Sequence, residues 1–236
     1  TEEEDGVQVA DVTSAYAVLS IMGPNSRKLL SKLTDEDLSN DHFPFGTGKE
    51  IEIGYSKALA LRVTYVGELG WELYIPSEFA QDLYDRLLEA GKEMALKHAG
   101  MHALNSLRLE KAYRHWGHDI TDEDTPLEAG LSFAVAWDKS GGFLGREALI
   151  RKKENGLMKK RMVQFALENP EPLLYHNEPI WCGNTIVGDT TSGMYGHSIG
   201  SCLGMGYIDV HSVKEFMPHA ALQDATRLAV ELIRHS

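Results

Sequence analysis

Thr64, Tyr65, Val66, Gly67, Glu68, Leu69, Gly70, Trp71, Glu72 and Leu73 are the stretch on which the reading of this chain turns. Just before it, Leu59, Leu61 and Val63 alternate with Ala60, Arg62 and Thr64. Within and after it, Trp71, Leu73 and Ile75 alternate with Glu72 and Tyr74. A period of two belongs to a half-buried strand, so residues 59–75 predict two strands joined by a tight Gly-containing connection. If Trp71, Leu73 and Ile75 form the core face, Glu72 projects from the other face. The glycines are read as places where a ligand approaches the backbone closely. Spacing alone makes Glu68 and Glu72 ordinary solvated strand carboxylates.

Working outward, the apolar run from Tyr16 to Met22 predicts a buried strand that ends at Gly23, Pro24 and Asn25. A short helix through Leu29, Leu30 and Leu33 follows. Leu83, Leu87, Leu88 and Met94 recur at helical spacing and predict a helix over 79–96, with Gly100 as terminator. A further helix is expected over 103–114. Thr125, Pro126, Leu127 and Glu128 read as a capping box at a helix start.

Composition shifts near Gly156, between Arg151, Lys152, Lys153 and Lys159, Lys160, Arg161; this basic cluster reads as a solvated helix face. Short apolar runs at 162–167 and 185–187, separated by prolines and glycines, predict short strands of a β-rich domain. The expected division is 1–150, 151–210 and a helical tail over 211–236, with the first boundary within about 145–162. The tail carries Leu222, Ala225, Ala229, Leu232 and Ile233 at helical spacing.

The composition narrows the function classes. With 23 Lys and Arg against 35 Asp and Glu, the net charge of -12 repels a phosphate backbone and argues against a general nucleic-acid partner. No run has the roughly 18–20 apolar residues of a membrane span, and Glu2, Glu3, Glu4, Asp5 are unlike a signal peptide. The expectation is a soluble, intracellular protein of a bacterial cytoplasm or mitochondrial matrix, with Cys182 and Cys202 reduced. His115 with His118, and His98 with His102, have helical ligand spacing. They lack a Cys partner or HExxH frame, so no metal site is expected.

A second informative stretch runs from Leu104 to Ile120. A helix bearing Arg108 leads into an aromatic, Gly-containing loop with an acid, Asp119, which offers charge pairing and stacking. Glu110 and Arg114, four apart, read as an ordinary helix ion pair worth about 0.3–0.5 kcal/mol.

Together these stretches carry a family resemblance. Tyr65, Gly67, Glu68, Gly70, Trp71 and Glu72 resemble the Y-x-G-E-x-G-aromatic-E motif of the glycine-cleavage T-protein superfamily. Asn105, Ser106, Leu107, Arg108, Leu109, Glu110 resemble its D-S-L-R-L-E helix, with Asn where Asp is usual. Gly117, His118, Asp119, Ile120 resemble G-N-D-I; Thr125, Pro126, Leu127, Glu128 resemble T-P-x-E; Phe143, Leu144, Gly145, Arg146, Glu147 resemble F-x-G-R/K-E. The motifs keep their order over roughly 11–207, and an ordered set is more specific than any member. With Tyr113, Arg114, His115 and Trp116, the chain looks most like the dimethylglycine and sarcosine dehydrogenases, in which a flavin domain is joined to a folate-binding domain.

The resemblance implies an α+β, T-protein-like folate-binding domain, incomplete at its N-terminus, followed by a small β-rich barrel or jelly-roll-like domain. It implies tetrahydrofolate as ligand and one-carbon transfer as activity, with FAD confined to an upstream flavin domain that would be the partner of this region. On that basis Glu72 is expected to accept hydrogen bonds from the pterin, Tyr65 to form a pocket wall, Trp116 to stack on the ligand, and Arg108 to position the pocket or meet a ligand carboxylate. The family's catalytic aspartate lies upstream of these motifs. Asp119 does not inherit its role, and no catalytic residue is assigned. No G-x-G-x-x-G fingerprint follows a strand here, so no flavin chemistry is expected of this polypeptide. The alternative is a non-catalytic regulatory subunit resembling that of pyruvate dehydrogenase phosphatase.

Overall fold

The computed structural model describes residues 8–156 and 158–213. The helix expected around Leu222–Ile233 lies outside the described residues. Contacts divide the chain into two compact units, Thr1–Ala99 and Gly100–Ser236.

The first unit is a two-layer α+β structure. Its strands are β1 (Tyr16–Met22), β2 (Gly48–Ile53), β3 (Ser56–Leu61) and β4 (Gly70–Pro76), with helices α1 (Ser26–Leu30) and α2 (Ala80–Gly91). The sheet is antiparallel in the order β1-β4-β3-β2. The alternation read from the sequence sets its register: Leu59 faces Tyr74, Ala60 faces Leu73 and Leu61 faces Glu72. One face is sealed, with Ile51, Ile53, Ala58, Ala60, Trp71, Leu73 and Ile75 all within 1% of full burial against Leu29, Leu30, Leu83 and Leu87 of the helices. A one-residue slip would put that whole set into water, which is why the register is strongly specified.

The glycines of the hairpin serve the chain itself. Gly67 turns the backbone at φ +72. A Cβ on Gly70 would lie 2.8 Å from Met22 Cγ and 3.0 Å from the Ile21 carbonyl, so its missing side chain lets β1 approach β4. Helix α2 ends at Gly91, earlier than the period predicts. Leu96 folds back over Gly91, where a Cβ would meet its Cδ2 at 2.5 Å, and Ala95 turns left-handed at φ 54.

The second unit contains α3 (Met101–Glu110), α4 (Arg146–Glu154), β5 (Lys160–Ala166), β6 (Pro179–Cys182), β7 (Thr185–Gly196), β8 (Ser201–Asp209) and the short α5 (Val210–Val213). Its antiparallel sheet runs β5-β8-β7-β6. The composition change near Gly156 falls inside this unit, because Leu109 of α3 buries with Met162, Leu203 and Met205 of the sheet. Helix α3 stops before Arg114, since Ala112 adopts φ 55, so the expected Glu110–Arg114 pair has no helix to sit on. Glu110 instead accepts the Ser198 N–H at 2.8 Å, and Arg114 donates to the Ala112 and Ala129 carbonyls.

The Thr125–Glu128 box closes but does not launch a helix. The Thr125 hydroxyl donates to Glu128 Oε2 at 2.7 Å and the Thr125 amide to the same oxygen at 3.2 Å. Gly130, at φ +68, ends the turn.

Close strand packing in this sheet depends on Gly188. A Cβ there would sit 1.8 Å from the Tyr207 carbonyl oxygen. Gly188→Ala is expected to destabilise the protein by about 1–3 kcal/mol or more, as overpacking does. An unchanged urea midpoint would contradict this packing.

Candidate functional site

In the first unit the open face of the sheet carries the candidate chemistry. Glu72 and Tyr74, two apart on β4, point away from the sealed face and are half-buried. Each sits in a cross-strand row: Ser20, Glu72 and Leu61 in one, Val18, Tyr74 and Leu59 in the next. Val18 and Leu59 are 48% and 42% exposed, so an apolar row borders a carboxylate. The Tyr74 hydroxyl donates to Glu72 Oε2 at 3.1 Å. Burial first, and then the bond to and charge of Glu72, push the Tyr74 phenol above its ordinary pKa. Tyr65 lies half-buried in the connection after β3, and Glu68 beside it is exposed.

In the second unit Arg108 and Asp119 meet as the sequence suggested, but in the interior. Their residues are 4% and 1% exposed, and Arg108 Nη1 lies 2.6 Å from Asp119 Oδ2. Oδ2 also accepts the His115 N–H at 2.8 Å, while Oδ1 accepts the Ser192 and Thr191 hydroxyls at 2.7 and 2.5 Å. The guanidinium further donates to the Tyr113 carbonyl at 3.0 Å and to Ser192 Oγ at 2.8 Å. Consecutive strand residues normally point to opposite faces. Here β7 shifts register against β8 between Thr190 and Ser192, and this bulge lets both hydroxyls reach one carboxylate.

Two further acids fasten the same loop. Asp124 meets Lys160 of β5 at 2.6 Å, and Glu128 meets Lys152 of α4 at 2.7 Å. Lys152, of the Arg151, Lys152, Lys153 cluster read as a solvated face, is therefore an anchor. The loop's tip carries Trp116, which is 66% exposed, with the His115 and His118 rings 4.7 Å apart beside it. Gly117, at φ +85, makes the turn, and its N–H donates to the Ile120 carbonyl at 2.8 Å.

Of the four residues singled out from sequence, Tyr65 and Glu72 thus belong to the first unit, and Arg108 and Trp116 to the second. The hydroxyls of Thr191 and Ser192 were invisible to sequence reasoning, because nothing in a Thr-Thr-Ser run announces a bulge.

Burial alone would raise the Asp119 pKa. Hydrogen bonds from Thr191, Ser192 and the His115 amide, with the Arg108 charge, outweigh it and hold the carboxyl below the usual carboxylate range. The folded pKa is depressed, so this group's stabilisation is present above the unfolded value of about 3.9 and is lost as pH falls through the folded pKa. Asp119→Ala is expected to cost about 3–5 kcal/mol by leaving Arg108 buried and unpaired. Asp119→Asn is expected to flatten the loss of stability below about pH 4. Urea melts at several pH values check both; an acid limb identical in wild type and Asp119→Asn would contradict the assignment.

The sequence matches the GCVT N-terminal domain over residues 1–139 and the glycine cleavage T-protein C-terminal barrel domain over residues 160–235. It is 45% identical over 201 residues to 4-methylaminobutanoate oxidase (formaldehyde-forming) of Paenarthrobacter nicotinovorans, covering 85% of this chain and 24% of that protein. It is 42% identical over 204 residues to human mitochondrial dimethylglycine dehydrogenase, covering 86% of this chain and 23% of that one. The chain thus spans about a quarter of the length of these relatives. Among solved structures it is similar to glycine cleavage system aminomethyltransferase T from Bartonella henselae, with a TM-score of 0.70 and 26% identity over 83% of this chain and 52% of that one. The sheets, the ordered motifs and these matches agree that the chain belongs to the glycine-cleavage T-protein family, as an aminomethyltransferase-like region of the dimethylglycine and sarcosine dehydrogenase kind.

Proposed function

We propose that this chain binds tetrahydrofolate and serves as the one-carbon-transfer region of a longer, FAD-dependent N-methyl amine dehydrogenase. The observation that carries the reading is the Glu72 carboxylate. It stands half-buried on an open sheet face, one oxygen takes the Tyr74 hydroxyl, and among the described residues the other has no hydrogen-bond partner. A carboxylate so placed suits a ring edge with adjacent N–H donors, and the neighbouring Val18, Tyr74 and Leu59 row suits its flat face.

Tyr65 is assigned to the wall beside Glu72, and the exposed indole of Trp116 to stacking. Arg108 acts through position: its nitrogens are occupied by Asp119, Ser192 and the Tyr113 carbonyl, so it orders the Trp116 loop rather than meeting a ligand carboxylate. Folate supplies the acceptor of the one-carbon unit. FAD belongs, in this reading, to another part of the longer polypeptide, as the quarter-length match to the dehydrogenases supports.

Calorimetric titration with tetrahydrofolate tests the proposal. Wild type is expected to bind, and Glu72→Gln to bind about ten- to a hundredfold more weakly, the worth of a lost charge-assisted hydrogen bond. Glu154→Gln, at the end of α4, is expected to bind like wild type. Equal binding by wild type and Glu72→Gln, with circular dichroism unchanged, removes Glu72 from the site. Silence from wild type overturns the folate reading in favour of a non-catalytic role. The chain alone is expected to turn over far below the roughly 1–1,000 per second of complete enzymes, and turnover in that range would contradict its being part of a larger machine.

A further inference from the structure

The first unit holds a second polar cluster, away from Glu72 and behind the sheet's sealed face. Arg27 of α1 and Arg62, just after β3, both approach the ring of buried Trp71, their guanidinium carbons 5.9 and 5.7 Å from its centroid. Both also donate to one atom, Asn40 Oδ1, at 2.6 and 2.8 Å. Arg27 Nε donates to the Leu38 carbonyl at 2.9 Å, and Arg62 Nη1 to the Phe43 carbonyl. These bonds pin the loop 38–43 to the sheet, and that stapling role accounts for the backbone contacts.

Stapling does not account for the charge. Among the described residues neither arginine has an ion-pair partner within 4.0 Å, although the chain carries 35 acids. Arg62 is 9% exposed, and its pKa is lowered by burial and then by the charge of Arg27. Two like charges in partial burial repel unless an anion joins them. The carboxylate of Asp37 is turned to His42 Nδ1 at 2.7 Å and to the Ser39 amide. Among the described residues, two buried donors, Arg62 Nε and Trp71 Nε1, have no acceptor. A buried donor without a partner is uncommon and costs about 1–3 kcal/mol.

We propose that Arg27, Arg62 and Asn40 form an anion site that takes a small oxyanion, a carboxylate or a phosphate group. Asn40 is exposed, and its carbonyl oxygen stands where an oxygen of the anion would stand. When the Asn40 side chain swings outward, one anion oxygen accepts from both terminal nitrogens and a second reaches Arg62 Nε, the forked geometry that arginine offers to oxyanions. The site lies wholly within the first unit and does not depend on folate binding.

Thermal unfolding of the full chain tests it, in phosphate and in acetate, each against chloride at matched ionic strength and pH. For wild type the midpoint is expected to rise by about 2–4 °C in at least one of the two, as a ligand of the native state alone requires. The arm that responds identifies the anion. Asn40→Asp places a carboxylate on the arginines from within; its midpoint in chloride is expected to exceed that of wild type, with no further rise in either salt. Arg27→Gln, on the half-exposed partner, is expected to fold and to lose the response. The proposal is overturned by a wild-type midpoint that ignores the anion, or by equal rises in wild type, Asn40→Asp and Arg27→Gln.

Discussion

The second unit depends on one buried carboxylate. Removing Asp119 from water would be prohibitive without compensation, and the fold supplies it with four hydrogen bonds, two of them from hydroxyls and one from a guanidinium. The four donors come from three pieces of chain: α3 through Arg108, the loop through the His115 amide, and β7 through Thr191 and Ser192. Thr191 Oγ1, whose proton goes to Asp119, also lies 3.3 Å from the Met205 carbonyl oxygen of β8, so this carboxylate sits against the β7–β8 strand pair. A charged centre of this kind is costly to break and specific in geometry. It fixes where α3 ends and which way the following loop turns.

The family's motifs divide by what the structure does with them. Gly67 and Gly70 are spent on the turn and on the approach of β1 to β4. Arg108 and Asp119 pair with each other, and Glu128 holds both its own turn and Lys152. Among the motif residues without such a structural role are half-buried Glu72 on the open face of the first sheet and, beside the motifs, exposed Trp116 at the tip of the anchored loop. An indole that is 66% exposed is carried on a loop with three internal anchors, at Asp119, Asp124 and Glu128. Rigid support beneath an exposed aromatic group is what a recognition element needs, because less entropy is lost when the ligand arrives.

Much of the first unit was legible in sequence, since its order comes from a period. The alternation at 59–75 placed Trp71 inside and Glu72 outside; the apolar run at 16–22 became β1, but as an edge strand in which Ile21 alone is buried rather than the buried strand expected. Helix ends were less legible, because they were decided by tertiary events: Leu96 folding over Gly91, and Ala112 entering a left-handed conformation before Arg114. The capping box at Thr125 formed its reciprocal bonds, yet Gly130 ended the turn before a helix could propagate. The partnership of Arg108 with Asp119 was suggested by their nearness in sequence. The two hydroxyls that complete it were not, because they arrive from 72 and 73 residues away through a bulge.

Asp119 orders the loop before Trp116 through the bond that its carboxylate accepts from the His115 amide. Native-state hydrogen exchange at the His115 amide, which donates to Asp119 Oδ2, reads that order directly. The amide is expected to exchange nearly as slowly as the amides of the β7–β8 pair, despite lying in a loop beside exposed residues. Exchange at the rate of an unprotected surface loop would show that the carboxylate does not hold this segment, and would contradict the account.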